Sequence, residues 1–301
     1  MIIIVHGGAG EDSKFIRKHK DEYEKELKAA VEAGYSKLLN GGTCTDAVEA
    51  AITYMEDCYL FNCGKGSALT ASNDVEMDTS IMEGSKLKHG AAAIVKNVKN
   101  PIKLARKIME EGDDVFLGSS GALEFAIEKG LELAPSAYFI TEHQIEALEK
   151  AQKKDNNPKT PTKGKHGTVG AVAVDRFGNI AAGTSTGGTE NSMESRIGDS
   201  PIIGVGCYAN NKTCAVSTSG DGAYLIKNII AYDVAACIEY KGYNLEQAVN
   251  FVINEKHKNS EGDIGLISIN CQGEIGIAFN SERFHRAWKI NDAEIEARIY
   301  K

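Results

Sequence analysis

Residues 160–175 read TPTKGKHGTVGAVAVD, and the chain continues RFGNIAAGTSTGG through residue 188. A lysine-rich, apolar-poor segment meets an apolar strand at Gly167-Thr168. The strand runs to a turn at Asp175–Gly178, and a second strand returns to a hydroxyl-rich glycine loop. Two short apolar runs joined by a Gly-containing turn read as a β-hairpin, an antiparallel unit. Such a hairpin brings the chain back to the same end of the sheet, so Thr186 comes to lie beside Thr168.

Upstream, Met1–His6 reads as a buried strand that breaks at HGGAG (6–10). Residues 21–39 carry Tyr23, Leu27, Ala30, Val31, Gly34 and Leu38 on one helical face, and NGG at 40–42 stops that helix. A second helix runs from about Thr43 to Asp57 with Ala47, Val48, Ala51, Ile52 and Met55 inward. The glycine-rich FNCGKGSAL (61–69) reads as a loop, residues 90–98 as a strand and 100–111 as a helix with Pro101 in its first turn. A short strand and a helix follow before 130, and Glu142–Lys153 is helical. Residues 154–167 hold no apolar side chain beyond proline and read as a flexible linker. Downstream, residues 201–211 and 212–222 read as strands, Tyr224–Lys241 and Leu245–Glu255 as helices, and 263–280 as a second hairpin turning at Gln272-Gly273. A doubly wound parallel sheet suits the first half but not the hairpins. Hairpins combined with helix pairs point to an α+β protein, an αββα sandwich.

Composition narrows the function. Apolar residues make up 42% and charged residues 25%, the balance of a folded soluble protein. The net charge of −8 argues against a nucleic-acid or anionic-membrane partner. Lys150, Lys153, Lys154, Lys159, Lys163 and Lys165 cluster without aromatic neighbours, so they read as a solvated linker. No run approaches the ~20 apolar residues of a membrane span. The opening MIIIVHGGAG reads as a first strand, not a signal peptide. Seven cysteines, odd in number and scattered without C-x-x-C, suit reduced thiols in the cytoplasm.

Two hydroxyl sites compete for a nucleophile's role. Gly183-Thr184-Ser185-Thr186-Gly187 matches G-x-S-x-G, and His6-Gly7-Gly8 mimics an esterase oxyanion loop. That elbow must turn from strand into helix, yet Gly188 and polar TENSMES follow, and neither His257 nor His285 has an evident acidic partner. Thr168 is the alternative. Its hydroxyl is a weak nucleophile unless cleavage before it frees an α-amine, whose reference pKa is about 7.7–8.0. One residue then supplies nucleophile and base. Gly167 and the polar segment behind it leave the scissile carbonyl accessible. As a purely structural residue, Thr168 would be a β-branched strand opener. STSGDG (217–222) is a second glycine-rich strand end, where backbone N–H groups suit an oxyanion. Arg196 and Asp199 are either a surface ion pair or a reader of an amino acid's carboxylate and ammonium.

HGGAG (6–10), TDAVEAAITYMED (45–57), FNCGKGSAL (61–69), EMDTSIMEG (76–84), VKNPIKLAR (98–106), HGTVGAVAVD (166–175), GTSTGG (183–188) and SRIGDSPIIGVGCYA (195–209) recur in order and spacing. With them the chain resembles the plant-type (type 2) asparaginase/isoaspartyl peptidases, which are N-terminal nucleophile hydrolases. The resemblance implies a four-layer αββα fold over 1–301 as one domain. It implies self-cleavage at Gly167–Thr168 into subunits 1–167 and 168–301, paired as a dimer of αβ heterodimers. Thr168 would attack asparagine or an isoaspartyl dipeptide, with Thr186 tuning it and Asn62 supporting it. Arg196, Asp199 and Gly222 would seat the substrate, and Gly220 with Ser219 would form the oxyanion hole. No cofactor takes part in the chemistry. A structural sodium would lie in loop 55–65, on backbone carbonyls among Met55, Glu56, Cys58, Phe61, Cys63 and Lys65.

Three positions depart from the family pattern. Ser219 replaces a threonine, Ala223 stands where relatives carry an acid, and CYLFNCGKG (58–66) is atypical. The alternatives carried forward are a glycosylasparaginase, for which no signal peptide speaks, a threonine endopeptidase, and a non-catalytic amino-acid-binding or scaffold descendant.

Overall fold

The structure is a computed structural model that describes residues 1–154 and 167–301. Most of the segment read as a linker, residues 155–166, therefore lies outside the described residues.

Along the first half run β1 (Ile2–Gly10), α1 (Lys14–Lys18), α2 (Lys20–Leu39), α3 (Cys44–Glu56), β2 (Met77–Glu83), β3 (His89–Val95), α4 (Pro101–Glu111), β4 (Phe116–Gly118), α5 (Ser119–Glu128), α6 (Ser136–Phe139) and α7 (Glu142–Lys154). The second half holds β5 (Val169–Val174), β6 (Ile180–Thr186), β7 (Cys207–Ala209), β8 (Ala215–Gly220), α8 (Gly222–Asn228), α9 (Ile230–Lys241), α10 (Leu245–Asn250), β9 (Ile264–Ile269), β10 (Ile275–Phe279), β11 (Arg283–Ile290) and β12 (Glu296–Arg298).

Among the described residues these strands form an eight-stranded sheet, β12-β11-β1-β5-β6-β2-β3-β4, and a four-stranded sheet, β10-β9-β8-β7. Neighbours are antiparallel except β3 and β4. Helices α2, α3 and α4 cover the outer face of the larger sheet, and α9 and α10 cover that of the smaller. The inner faces pack on each other, giving the expected αββα sandwich.

The IIIV run explains itself in this setting. Ile3 and Val5 meet Leu27, Val31, Val48 and Ile52 from the helices, while Ile2 and Ile4 meet Ile267 and Ile269 between the sheets. A strand covered on both faces is apolar at every position, and each such side chain contributes about 1.5–3 kcal/mol on burial. The inward faces read for α2 and α3 are the buried ones, and Thr43 with Asp46 forms a capping box that starts α3.

Several expectations need correction. Strand β1 does not break at HGGAG but continues to Gly10 through an irregularity between His6 and Ala9. The expected helix 224–241 divides at Ile229, which adopts the left-handed region (φ 50°, ψ 51°). The helix from Leu245 ends in a π-turn over Phe251–Lys256. Only Cys207–Ala209 of 201–211 is strand. Strands β2, β11 and β12 carry too many polar residues to show an apolar pattern.

Candidate active site

The β5–β6 hairpin is closed by Asp175. Its carbonyl accepts the Gly178 N–H at 3.1 Å, and its carboxylate accepts from the N–H groups of Phe177 and Asn179. The register pairs Val174 with Ile180 and Val169 with Ser185. One step further, Thr168 faces Thr186, and the Thr168 hydroxyl donates to Thr186 Oγ1 at 3.3 Å. Thr186 Oγ1 also accepts the Gly188 N–H at 3.2 Å.

Beneath Thr168 lies His6, wholly buried. Its Nδ1 is 3.1 Å from the Thr168 carbonyl and its Nε2 is 2.9 Å from Ser217 Oγ. A carbonyl only accepts, so Nδ1 carries the proton. Loss of hydration pushes His6 down to about 3, which keeps it neutral. Ser217 reaches Thr184 Oγ1 at 2.7 Å, so this hydroxyl network ties β1, β6 and β8 together under the nucleophile candidate.

Thr168, Thr186, Arg196, Asp199, Gly220 and Gly222 line one small cleft together with Gly167. The loop bearing Arg196 and Asp199 is held by carboxylates of the β2 segment. Asp78 Oδ2 accepts the Gly198 N–H at 2.8 Å, and Glu76 Oε2 accepts the Ser195 N–H at 2.7 Å. Asp78 is buried and is pushed up to about 6 by desolvation, against the pull of its Gly198 and Ile94 N–H bonds.

Asp199 is buried rather than part of a surface ion pair, and its Oδ2 has no hydrogen-bond partner among the described residues. Desolvation raises it to about 6, opposed by its own backbone N–H and by the Arg196 charge. An unpartnered buried carboxylate oxygen is costly unless a ligand completes it. At Gly222 an added Cβ would fall 2.7 Å from Asp199 Oδ1 and 3.1 Å from Arg196 Nη2. Only glycine leaves room there for both side chains and for whatever they hold.

The remaining candidates take distinct places. Ser219 Oγ accepts the Ala9 N–H at 3.0 Å, which leaves its proton to donate. Asn62 does not touch the Thr168 hydroxyl. Its Nδ2 donates to the Gly188 carbonyl at 2.8 Å and its Oδ1 accepts the Ala68 N–H at 2.7 Å, bracing the turn that follows Thr186. Asn62 Cβ also backs Gly167. On the other side Gly8, with φ +105°, comes so close that a Cβ there would sit 2.6 Å from the Gly167 Cα. Ser185 lies inside β6 and donates to Glu56 Oε1 at 2.7 Å, so the esterase-like elbow is absent at this position. The sequence offers His6 only as part of an esterase-like loop and gives Ser217 and Asp78 no site role. A histidine directly behind IIIV, and an aspartate inside a strand, were the available signals.

In loop 55–65 the carbonyls of Met55, Glu56, Cys58 and Phe61 accept N–H groups of Cys58, Lys65, Phe61 and Cys63 at 2.7–3.3 Å. A Cβ on Gly64 would fall 2.2 Å from the Glu56 oxygen, and one on Gly66 would fall 2.7 Å from the Phe61 oxygen. Each of these carbonyls already accepts one N–H, and its second lone pair is the neutral oxygen donor a hard cation would use. The side chains of Cys58, Cys63 and Lys65 add no such donor. Among the described residues no group of three or more His, Cys, Asp or Glu side chains could hold a metal.

A family profile described as Asparaginase matches residues 1–299. The isoaspartyl peptidase of Salmonella typhimurium is 40% identical over 296 residues, covering 95% of this chain and 94% of its own length. A probable isoaspartyl peptidase/L-asparaginase 2 of Arabidopsis thaliana is 39% identical over 323 residues, covering 99% and 98%. The isoaspartyl peptidase/L-asparaginase of Homo sapiens is 40% identical over 274 residues, covering 91% and 88%. With this match along its length and an αββα sandwich to carry it, the chain belongs to the asparaginase family of N-terminal nucleophile hydrolases.

Proposed function

We propose that this chain cleaves itself between Gly167 and Thr168 and then hydrolyses the side-chain amide of L-asparagine and the β-peptide bond of isoaspartyl dipeptides. The observation that carries the reading is the Thr168–Thr186 hydroxyl pair, which opens on the same cleft as Arg196 and the half-satisfied, buried Asp199.

In the first reaction Thr168 Oγ adds to the Gly167 carbonyl. The C–N bond breaks, the nitrogen takes a proton, and an ester joins Gly167 to the Thr168 oxygen. Water hydrolyses the ester, giving a Gly167 carboxylate and a Thr168 with free α-amine and hydroxyl. In the second reaction that amine, near pKa ~8, takes the hydroxyl proton as Oγ adds to the substrate's side-chain carbonyl. The proton passes to the departing nitrogen, leaving a β-aspartyl ester on Thr168. Water then releases aspartate.

Arg196 holds the substrate's α-carboxylate as a bidentate fork, and Asp199 accepts from its α-ammonium. The Gly220 N–H and the Ser219 hydroxyl stabilise the oxyanion. Thr186 orients the nucleophile, and Asn62 fixes the turn behind it.

Loop 55–65 would hold a sodium ion on its backbone carbonyls and thereby fix the position of Asn62. The cleaved chains would pair as a dimer of αβ heterodimers. All seven cysteines are free thiols, which suits a reducing cytoplasm. The test is intact mass together with product release. Expected are two chains of 167 and 134 residues and stoichiometric aspartate and ammonia from L-asparagine. A chain that stays whole and yields neither product refutes the proposal.

A further inference from the structure

The loop that follows the π-turn, residues 257–263, packs against the segment where β8 hands over to α8. The Asp221 N–H donates to the Asp263 carbonyl at 2.8 Å. A Cβ on Gly262 would fall 2.8 Å from Asp221 Cβ and 3.2 Å from Tyr224 Cβ. Two glycines of that segment line the nucleophile cleft, and they are held differently. Gly220 ends β8 and pairs with Ile264 of β9, so the sheet fixes it. Gly222 is the first residue of α8, a helix of seven residues that the left-handed Ile229 separates from α9. Its position follows that of α8.

The opening turn of α8, Gly222-Ala223-Tyr224-Leu225, carries one polar side chain, that of Tyr224. Its hydroxyl lies 2.9 Å from His257 Nδ1, with the two rings edge to face at 5.5 Å. His257 is 5% exposed and firmly placed. Its N–H donates to the Val252 carbonyl at 3.2 Å, and its carbonyl accepts the Ser260 N–H at 3.0 Å. A single π-turn recurs at functional sites, and here it delivers this histidine. Asp233 Oδ2, from α9, lies 3.9 Å from His257 Nε2 and is itself held by Lys256 Nζ at 2.9 Å. A carboxylate on that side favours the ring proton on Nε2, which leaves Nδ1 to accept from the tyrosine.

We propose that Tyr224 and His257 are a positioning pair for substrate binding. Their hydrogen bond holds the first turn of α8, and with it Gly222, at the separation from Arg196 and Asp199 that the substrate's carboxylate and ammonium require. This rests on the amidohydrolase reading above. Gly222 is the wall beside both side chains, since a Cβ there would fall 2.7 Å from Asp199 Oδ1 and 3.1 Å from Arg196 Nη2. The oxyanion donor Gly220 is fixed by β9 instead. The pair therefore governs affinity and leaves self-cleavage and the chemical step alone.

The test uses fully cleaved parent, Tyr224→Phe, His257→Leu, the double variant, and His257→Asn, whose Oδ1 stands where Nδ1 was and can still accept. Tyr224→Phe and His257→Leu should each raise KM for L-asparagine about fivefold, the worth of one ordinary hydrogen bond. Their kcat and self-cleavage rate should stay within about twofold of the parent, the pattern of lost uniform binding. The double variant should be no worse than either single one, and His257→Asn should keep a KM near the parent's. Calorimetric titration with L-aspartate should show Kd moving with KM. Parent-like KM in both single variants overturns the proposal. So do additive losses in the double variant, a His257→Asn no better than His257→Leu, or a kcat and self-cleavage rate that fall together with affinity. A parent that binds aspartate but releases no ammonia from asparagine refutes the amidohydrolase reading, and Kd in the variants then judges the pair separately. A parent that neither binds nor hydrolyses overturns both.

Discussion

The Thr168 hydroxyl donates to the Thr186 hydroxyl across 3.3 Å at the open end of a hairpin whose register is fixed by a tight Asp175 turn. Removing the first hydroxyl removes the nucleophile for both proposed reactions. Thr168→Ala should remain one chain by denaturing gel and intact mass and release no ammonia. Thr186→Val keeps the shape and loses only the hydrogen-bond partner. Its cleavage and its asparagine turnover should both slow by on the order of 10²-fold. Wild-type rates in Thr186→Val would remove Thr186 from the mechanism.

Gly8 bears on the same bond from the other side. Its φ of +105° disfavours any side chain, and a Cβ there would sit 2.6 Å from the Gly167 Cα. Gly8→Ala must displace Gly167 relative to Thr168 Oγ, and a displacement approaching 1 Å costs on the order of 10² in rate. A time course of the 301-residue band should show that delay, while a Thr168→Ala background still gives a cooperative melt.

How far the sequence discloses these contacts depends on how each element is held. The hairpin is readable because apolar runs and a Gly-containing turn fix it locally, and α2 and α3 are readable because burial follows the helical period. Strand β2 is not. Its Asp78, Thr79 and Ser80 are all buried and are satisfied by Gly198, Thr184 and Ser200, partners more than 100 residues away. Strand β11 hides for the same reason. Arg283 donates to the carbonyls of Glu11 and Gly8, and Arg286 to those of Phe284 and Tyr300, so charged residues fill buried positions. Periodicity reports apolar burial and is blind to polar burial satisfied at long range. Thr168 is a candidate from Gly167, the polar segment and the hairpin alone, and Arg196 with Asp199 one of two readings; motif order decides between the readings, while the His6 link to Thr168 leaves no sequence signal.

Arg196 should separate binding from self-cleavage. It lines the same cleft, but the hydroxyl pair's bond runs between Thr168 and Thr186 alone. Arg196→Ala should leave cleavage at its normal rate and lower kcat/KM on L-asparagine by about 10²–10³-fold, mostly through KM, as expected when one partner of a charged pair is lost. Arg196→Lys should recover only part, because an ammonium cannot form the bidentate fork. Steady-state kinetics on fully cleaved protein decides the point.

Asp199 gives the pH dependence. It must be ionised to hold an ammonium, and burial has raised it to about 6. The acid limb of kcat/KM should therefore fall at or below pH 6, since opening the cleft rehydrates the carboxylate and lowers its pKa. For stability the sign is opposite. A raised carboxyl pKa favours the fold fully below the unfolded value near 3.8 and loses that contribution as pH rises through about 6. Asp199→Asn should therefore be inactive yet more stable at pH 8, by on the order of 1–3 kcal/mol. Denaturant unfolding of the uncleaved Thr168→Ala background, with and without the substitution, measures it. A destabilised Asp199→Asn would mean that the carboxylate is a structural anchor.

His6 makes the converse prediction. It is buried and neutral, pushed down to about 3, and it bonds the Thr168 carbonyl on one side and Ser217 on the other. His6→Phe leaves those two groups without their partner, a loss of roughly 1–3 kcal/mol at neutral pH. Its pH signature is distinct, because an unfolded histidine takes up a proton near 6.5 while the folded one resists until about 3. The wild-type contribution is therefore complete above pH 6.5 and drains away as pH falls from there towards 3. The stability difference between the Thr168→Ala chain and its His6→Phe derivative should be largest at pH 7–8 and should narrow steadily on acidification. A difference that stays constant with pH would show that His6 takes up its proton at the same pH folded and unfolded, and so is not held neutral beneath Thr168.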